Sequence, residues 1–289
     1  MNYITKYTQN YVIQFMNQMI NKIYPKSKKN LYKVDTLYLK TVLSNLNKVY
    51  KPLYYANFLT SFDGRIATYN KKYSCLLTPK SIKNDIDFLL FRQLHAQSDC
   101  LVTNTQYIQG LNEGYYGNIL STEDVKLKNW RKKNAINNQE IIILSNSLDF
   151  PINRNIEILK ERITILTTSK NKKKIGNFKK KNFRILKYSG KNVSANQLNK
   201  HVIKNKFKAV YFIAGPTIVE QMISSNLLDR FYCSTSMSML GTKKYDTIIR
   251  GNFIKNPVNL ELIEMYMYIK KNKEEKEQTL FQIFNIKGK

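Results

Sequence analysis

Cysteine is scarce. The 289-residue chain has three, Cys75, Cys100 and Cys233, too few and too scattered for a disulfide framework. No Cys-x-x-Cys pair occurs, which argues against a cysteine-built zinc site. No apolar run approaches the roughly 18 residues that a membrane-spanning helix needs. The first residues hold no Ala-x-Ala pattern, and Gln14, Asn17 and Gln18 interrupt the apolar stretch from Tyr11 to Ile20, so a cleaved leader is not expected. A soluble protein of a reducing cytoplasm fits these absences. Acidic residues are also few, 20 Asp and Glu against 48 Lys and Arg, giving a formal net charge of +28. Lys and Arg release counterions from a polyanion. Here, however, the lysines are spread among Asn, Ile and Tyr, as compositional drift of exposed positions would spread them. A field that draws small phosphorylated ligands is the next reading, and a nucleic-acid partner is not expected.

The most informative stretch is Tyr211-Phe212-Ile213-Ala214-Gly215-Pro216-Thr217-Ile218-Val219-Glu220-Gln221. An apolar run leads through a small-residue turn into residues at helical spacing, so a buried strand followed by a helix is expected. The first N–H groups of such a helix have no partner within it, and with the helix dipole they favour a phosphate. The glycine would let backbone approach the ligand. Taken alone, the same pattern also describes a plain strand-to-helix turn.

At the other end, Tyr11, Val12, Phe15, Met16, Met19, Ile20 and Ile23 form one helical stripe ended by Pro25, and Leu37 to Leu46 predicts a second helix. Residues 1–50 are thus expected to be a helical extension. Leu53 to Leu59 reads as a strand, Asp63-Gly64 as a turn, and Thr78-Pro79 as the start of a helix to about His95. Cys100-Leu101-Val102 is a buried strand opening into Thr103 to Gln106, and ligands of open α/β sheets bind outside such carboxyl ends. Residues 110–138 read as a loop with one short helix. Strands follow at Ile141 to Leu144, Ile163 to Thr167 and Phe183 to Leu186. Lys170 to Lys181 reads as a basic loop, either solvated or facing a phosphate. Ala195 to Asn205 is an amphipathic helix, and strands at Arg230 to Thr235, Leu260 to Ile269 and Gln278 to Ile286 close the chain. The repeated strand and helix order predicts a largely parallel sheet covered by helices, with antiparallel strands at the end.

Five segments together resemble the reductase domain of the bifunctional riboflavin-biosynthesis deaminase/reductase, the RibD-type C-terminal domain. They are Asn57 to Ala67, Leu77-Thr78-Pro79, Gln97 to Thr103, Ala214 to Thr217 and Leu227-Leu228-Asp229. The ordered set spans about Leu53 to Ile286. The resemblance implies a dihydrofolate reductase-like α/β fold over residues 51–289, a mixed, mostly parallel sheet flanked by helices. It also implies NADPH as cofactor, a cytoplasmic homodimer, and reduction of a phosphorylated pyrimidine, in the family 5-amino-6-(5-phosphoribosylamino)uracil.

Carried over by position, Leu59, Thr60 and Ser61 would line the nicotinamide side, and Thr78, Thr103, Thr105 and Tyr107 would flank the cofactor. Ser145 and Asn146 would meet the adenosine ribose and its 2′-phosphate, and Gly215, Pro216, Thr217, Ile218 and Gln221 would cradle the pyrophosphate. Arg92 would take a substrate phosphate. Asp63 would orient the site or its proton-donating water, or else simply cap a turn. A cis peptide is expected at Ala214–Gly215. Two departures stand out: Ile213 occupies the position where members that reduce the riboflavin precursor usually carry an acid, and His95-Ala96-Gln97 lacks the Glu of a zinc deaminase. A nucleotide- or RNA-binding protein that keeps the fold without turnover is the competing reading.

Overall fold

Alternation along the apolar runs decides the layering. In the computed structural model, which describes residues 18–46, 51–121, 124–136, 139–251, 254, 256–271 and 276–287, these runs become strands with one set of side chains on each face. In chain order the elements are β1 (Met19–Tyr24), β2 (Leu31–Lys33), α1 (Leu43–Leu46), β3 (Leu53–Ser61), β4 (Arg65–Asn70), β5 (Cys75–Leu77), α2 (Asp85–Gln97), β6 (Cys100–Asn104), α3 (Thr105–Asn112), α4 (Val125–Lys133) and β7 (Glu140–Ser145). They continue as α5 (Arg154–Ile158), β8 (Ile163–Thr167), α6 (Lys172–Lys180), β9 (Arg184–Lys187), α7 (Ala195–Lys204), β10 (Ala209–Phe212), α8 (Pro216–Ser224), β11 (Arg230–Ser236), β12 (Tyr245–Thr247), β13 (Asn259–Lys271) and β14 (Lys276–Lys287).

Eleven strands form one sheet in the order β2-β1-β13-β14-β11-β3-β10-β6-β7-β8-β9. From β11 to β9 neighbours are parallel, and from β14 to β2 they are antiparallel. The mixed, mostly parallel sheet flanked by helices is therefore as expected. Tyr55, Leu101, Ile141, Ile143 and Tyr211 face a core shared with α2 and α3, whereas Tyr54, Val102, Ile142, Val210 and Phe212 face α7 and α8. Several core tyrosines find partners for their hydroxyls. The Tyr55 hydroxyl donates to the Leu94 carbonyl at 2.9 Å, and its ring stacks on Tyr211 at 4.8 Å between centroids. Burial holds both phenols well above their ordinary pKa.

The N-terminal segment differs from the expected helical extension. Part of the first expected helix lies outside the described residues, and its described end is strand β1, paired with β13. An open sheet edge outweighed a helical apolar stripe, since strand formation depends on available pairing more than on local preference. The second expected helix shrinks to the single turn α1, preceded by a 3-10 turn at Val34–Thr36. Two buried glutamines on α2 hold this segment. Gln93 accepts from the Tyr38 N–H and donates to the Val34 carbonyl, both at 2.7 Å. Gln97, one helical turn on, accepts from the Val42 N–H at 2.9 Å and donates to the Tyr38 carbonyl at 2.7 Å.

Other corrections are local. The helix expected from Thr78-Pro79 begins later, at Asp85, because Asn84 provides the cap, accepting from the Asp87 N–H at 2.7 Å. The basic stretch expected as a loop is helix α6, capped by Asn171 and anchored by buried Phe178, with Lys174 paired to Asp149. Replacing Gln93 by Leu should cost about 3 kcal/mol in urea unfolding, since it strands a buried N–H and a buried carbonyl. A loss below about 1 kcal/mol would show that the clamp is dispensable.

Candidate active site

The site begins with three backbone ladders. β10 lies between β3 and β6, with Phe212 opposite Ala56 on one side and Val102 on the other. All three strands run parallel and open onto the same rim, the place where ligands bind in such sheets. Beyond β10 the Ile213 N–H donates to the Val102 carbonyl at 3.0 Å, and the chain turns into α8 at Gly215, with Pro216 in its first position. The cis bond expected at Ala214–Gly215 is absent; Tyr24–Pro25 is cis instead. Gly215 sits at φ −70°, ψ 175°, the extended conformation imposed on a residue before proline. The turn closes on that conformation without the cost of a cis peptide.

Two cavities share this rim. A groove of about 220 Å³ runs past Leu59, Thr78, Asn104, Tyr107, Gly215 and Pro216, with Asp246 on its wall. The Asn104 side chain caps α3 by accepting from the Tyr107 N–H at 3.0 Å. The Tyr107 hydroxyl donates to the Gly117 carbonyl at 2.8 Å and accepts from the Ile119 N–H at 2.9 Å. Burial pushes this phenol up to about 12, so it stays protonated at neutral pH. A larger cavity of about 600 Å³ also touches Leu59 and Thr78 and extends under α2. Phe88, Phe91 and Ile119 give it apolar walls; Lys83, Asp85, Asp87 and Arg92 are its charged members. Arg92 is held by Asp124 at 2.6 Å. Burial raises Asp87 to about 6, against which the Ser234 hydroxyl acts in part. Its Oδ1 is buried and has no hydrogen-bond partner among the described residues.

Of the residues expected at the site, Leu59, Thr78, Tyr107, Gly215, Pro216 and Arg92 line these cavities. The others do not line them. Buried Thr60 donates to the Ser61 carbonyl at 3.0 Å, and buried Ser61 donates to Asp63 and accepts from the Arg65 N–H at 3.0 Å. The hydroxyl of Thr103 donates to the Ile213 carbonyl at 3.4 Å, and that of Thr105 to the Leu144 carbonyl at 3.5 Å. Ser145 accepts from the Leu148 N–H at 2.9 Å, while exposed Asn146 donates to Asn192 at 2.6 Å. Thr217, Ile218 and Gln221 follow along α8, with Thr217 exposed.

Asp63 is bound on every side. It accepts from the Ser61 hydroxyl and from the N–H groups of Leu240 and Gly241, at 3.1 and 3.0 Å, and pairs with Arg65. The Ser61 bond is the largest of the influences that hold its carboxyl down at about 2.

Asn104 lies within the strand end expected to face a ligand, whereas Asp87 and Asp246 are not singled out by the sequence. Asp87 did leave a signal: it stands three, four and seven residues before Leu90, Phe91 and Leu94, a charge on the apolar face of a helix. Asp246, paired with Arg250 at 3.0 Å, comes from a short strand with no apolar pattern.

Comparison with known proteins follows this geometry. The RibD C-terminal domain family matches residues 52–273. A search of curated proteins gave no match. Among solved structures, a pyrimidine reductase-like protein from Corynebacterium diphtheriae superposes with a TM-score of 0.66 at 14% identity, covering 89% of this chain and 99% of its own. Acinetobacter baumannii RibD gives 0.56 at 14% identity, covering 85% of this chain but 61% of its own length, so this chain spans about three fifths of that protein. The riboflavin biosynthesis reductase Rib7 of Saccharomyces cerevisiae gives 0.51 at 12% identity, covering 85% and 98%. At these identities the superpositions establish the fold, and the family match over most of the chain establishes kinship: this chain belongs to the RibD C-terminal domain family of oxidoreductases.

Proposed function

We propose that the chain is an NADPH-dependent reductase of a phosphorylated pyrimidine, acting on 5-amino-6-(5-phosphoribosylamino)uracil in riboflavin biosynthesis. The observation that carries this reading is the junction of the two cavities at Leu59 and Thr78. One compartment suits the part of a dinucleotide that reaches the Gly215 turn and the other a ring with a charged tail, and they meet where the two would exchange a hydride.

The groove fits the cofactor on its own terms. A Cβ built on Gly215 would meet Asn104 Nδ2 at 3.8 Å and nothing nearer, so the missing side chain leaves room for a ligand and is not demanded by packing. Pro216 contributes no N–H, and the Ile218 N–H bonds the Gly215 carbonyl at 3.2 Å. Thr217, whose N–H has no partner within the helix, is left with the Gly215 amide to meet a phosphate. Leu59, Thr78 and Tyr107 would hold the nicotinamide end, and exposed Asn146 would serve the ribose end. When bound, NADPH supplies the hydride; the protein orients the two partners and keeps water from between them. Phe88, Phe91 and Ile119 do the last of these, and Lys83 and Arg92 attract the substrate phosphate.

Asp63 acts at one remove. With its oxygens turned to Ser61, Arg65, Leu240 and Gly241, it fixes the loop after β3 against the segment before β12 and so positions Leu59. A cytoplasmic homodimer completes the reading, with the exposed apolar side chains of Met19, Ile23, Tyr24 and Leu31 available for contact between copies.

Purified protein should oxidise NADPH, followed at 340 nm, when given the aminouracil phosphate, and should do so much more slowly with NADH. Failure with both cofactors overturns the reading. Gly215→Val should raise KM for NADPH at least tenfold while leaving Tm within about 2 °C, because the backbone angles at 215 suit any residue; an unchanged KM would move the cofactor elsewhere. Asp63→Ala should lower Tm at pH 7. Its carboxyl is depressed in the folded state, so the wild-type advantage is present above pH 4 and fades as pH falls through about 2. A Tm difference that persists undiminished at pH 2 would contradict this role.

A further inference from the structure

We propose that the Asp87 carboxylate recognises the donor edge of the substrate ring, a ring N–H and the amine beside it, within the larger cavity. The proposal rests on the reductase reading above and names the group that selects its substrate.

Three observations converge on Asp87. It lines the 600 Å³ cavity, and its Oδ1 is buried with no hydrogen-bond partner among the described residues. A buried carboxylate oxygen left unpaired is costly, and because Asp87 borders the cavity, a ligand seated there can supply the missing partner. Its position is fixed, because its own N–H is bound to Asn84 Oδ1 at 2.7 Å in the cap of α2. The walls around it suit a flat ring: Phe88 and Phe91 stack with centroids 5.8 Å apart, and Leu59 closes the side towards the cofactor groove.

Other acids near the rim serve less well. Asp246 is paired with Arg250 at 3.0 Å, Asp63 is bound by Ser61, Arg65, Leu240 and Gly241, and Asp85, on the same cavity, is exposed. The end of β10 offers Ile213 and no carboxylate at all. Lys83 and Arg92 stand on the same cavity, so a ring against Asp87 carries its phosphate towards them.

The test uses the intact chain carrying 13C-labelled aspartate carboxyls, with the Asp87 resonance assigned by its absence from Asp87→Asn. 6-Aminouracil, which has the donor edge but no sugar or phosphate, should shift that resonance, and 6-amino-1-methyluracil, with the ring N–H blocked, should not. In turnover, Asp87→Asn should raise KM for the aminouracil phosphate at least tenfold and leave KM for NADPH unchanged. A resonance indifferent to 6-aminouracil, or shifted equally by the methylated ring, overturns the proposal. So does an Asp87→Asn enzyme with wild-type kinetics. A wild type that shows the shift yet oxidises no NADPH would refute the reductase reading and leave ring recognition by Asp87 standing.

Discussion

Everything at the rim depends on β10 being held between β3 and β6. Parallel strands cannot be joined by tight turns, so each must return through a crossover before pairing. The result is that chain segments far apart in sequence reach the same edge together. Leu59, Asn104 and Gly215 become neighbours through this ladder, although none is predictable from the others. The helices that cover the two faces follow from the same constraint, because a parallel sheet exposes no face to water. The site is thus a product of main-chain pairing first and side-chain chemistry second.

The buried tyrosines of the sheet show how polar atoms are afforded a place in such a core. Tyr55 gives its hydroxyl to the Leu94 carbonyl, and the Tyr232 hydroxyl lies 3.0 Å from that of Thr41. Each partner belongs to a different element, so the bonds fix α2 and the N-terminal segment against the strands as well as satisfying the phenols. Asp87 and its neighbour Tyr38 depart from this: Asp87 Oδ1 and the Tyr38 hydroxyl are buried without a partner among the described residues, and burial, with the Asp87 charge adding to it, holds Tyr38, Tyr211 and Cys233 above their ordinary pKa.

The sheet could be read from sequence because its strands are continuous apolar runs, and the turn at Gly215 because small residues interrupt such a run. Helix α3 was missed since its cap, Asn104, closes a strand and opens a helix at the same residue. Strand β1 was missed because its partner β13 lies more than two hundred residues away, and no local spacing reports that. Asp63 drew notice as an acid within a recognisable segment, but only the three-dimensional arrangement shows Leu240 and Gly241 turned towards it. Asp87 is hard to read for the opposite reason: a lone charge on an apolar helical face belongs to no motif.

The glutamine clamp on α2 bears on where this protein can be cut. The family match begins at residue 52, yet Val34, Tyr38 and Val42 splint the helix that carries Asp87 and Arg92, and β1 extends the sheet. Trimming to the recognised boundary would remove that splint. The portion that the family match covers is therefore shorter than the portion that these contacts tie together.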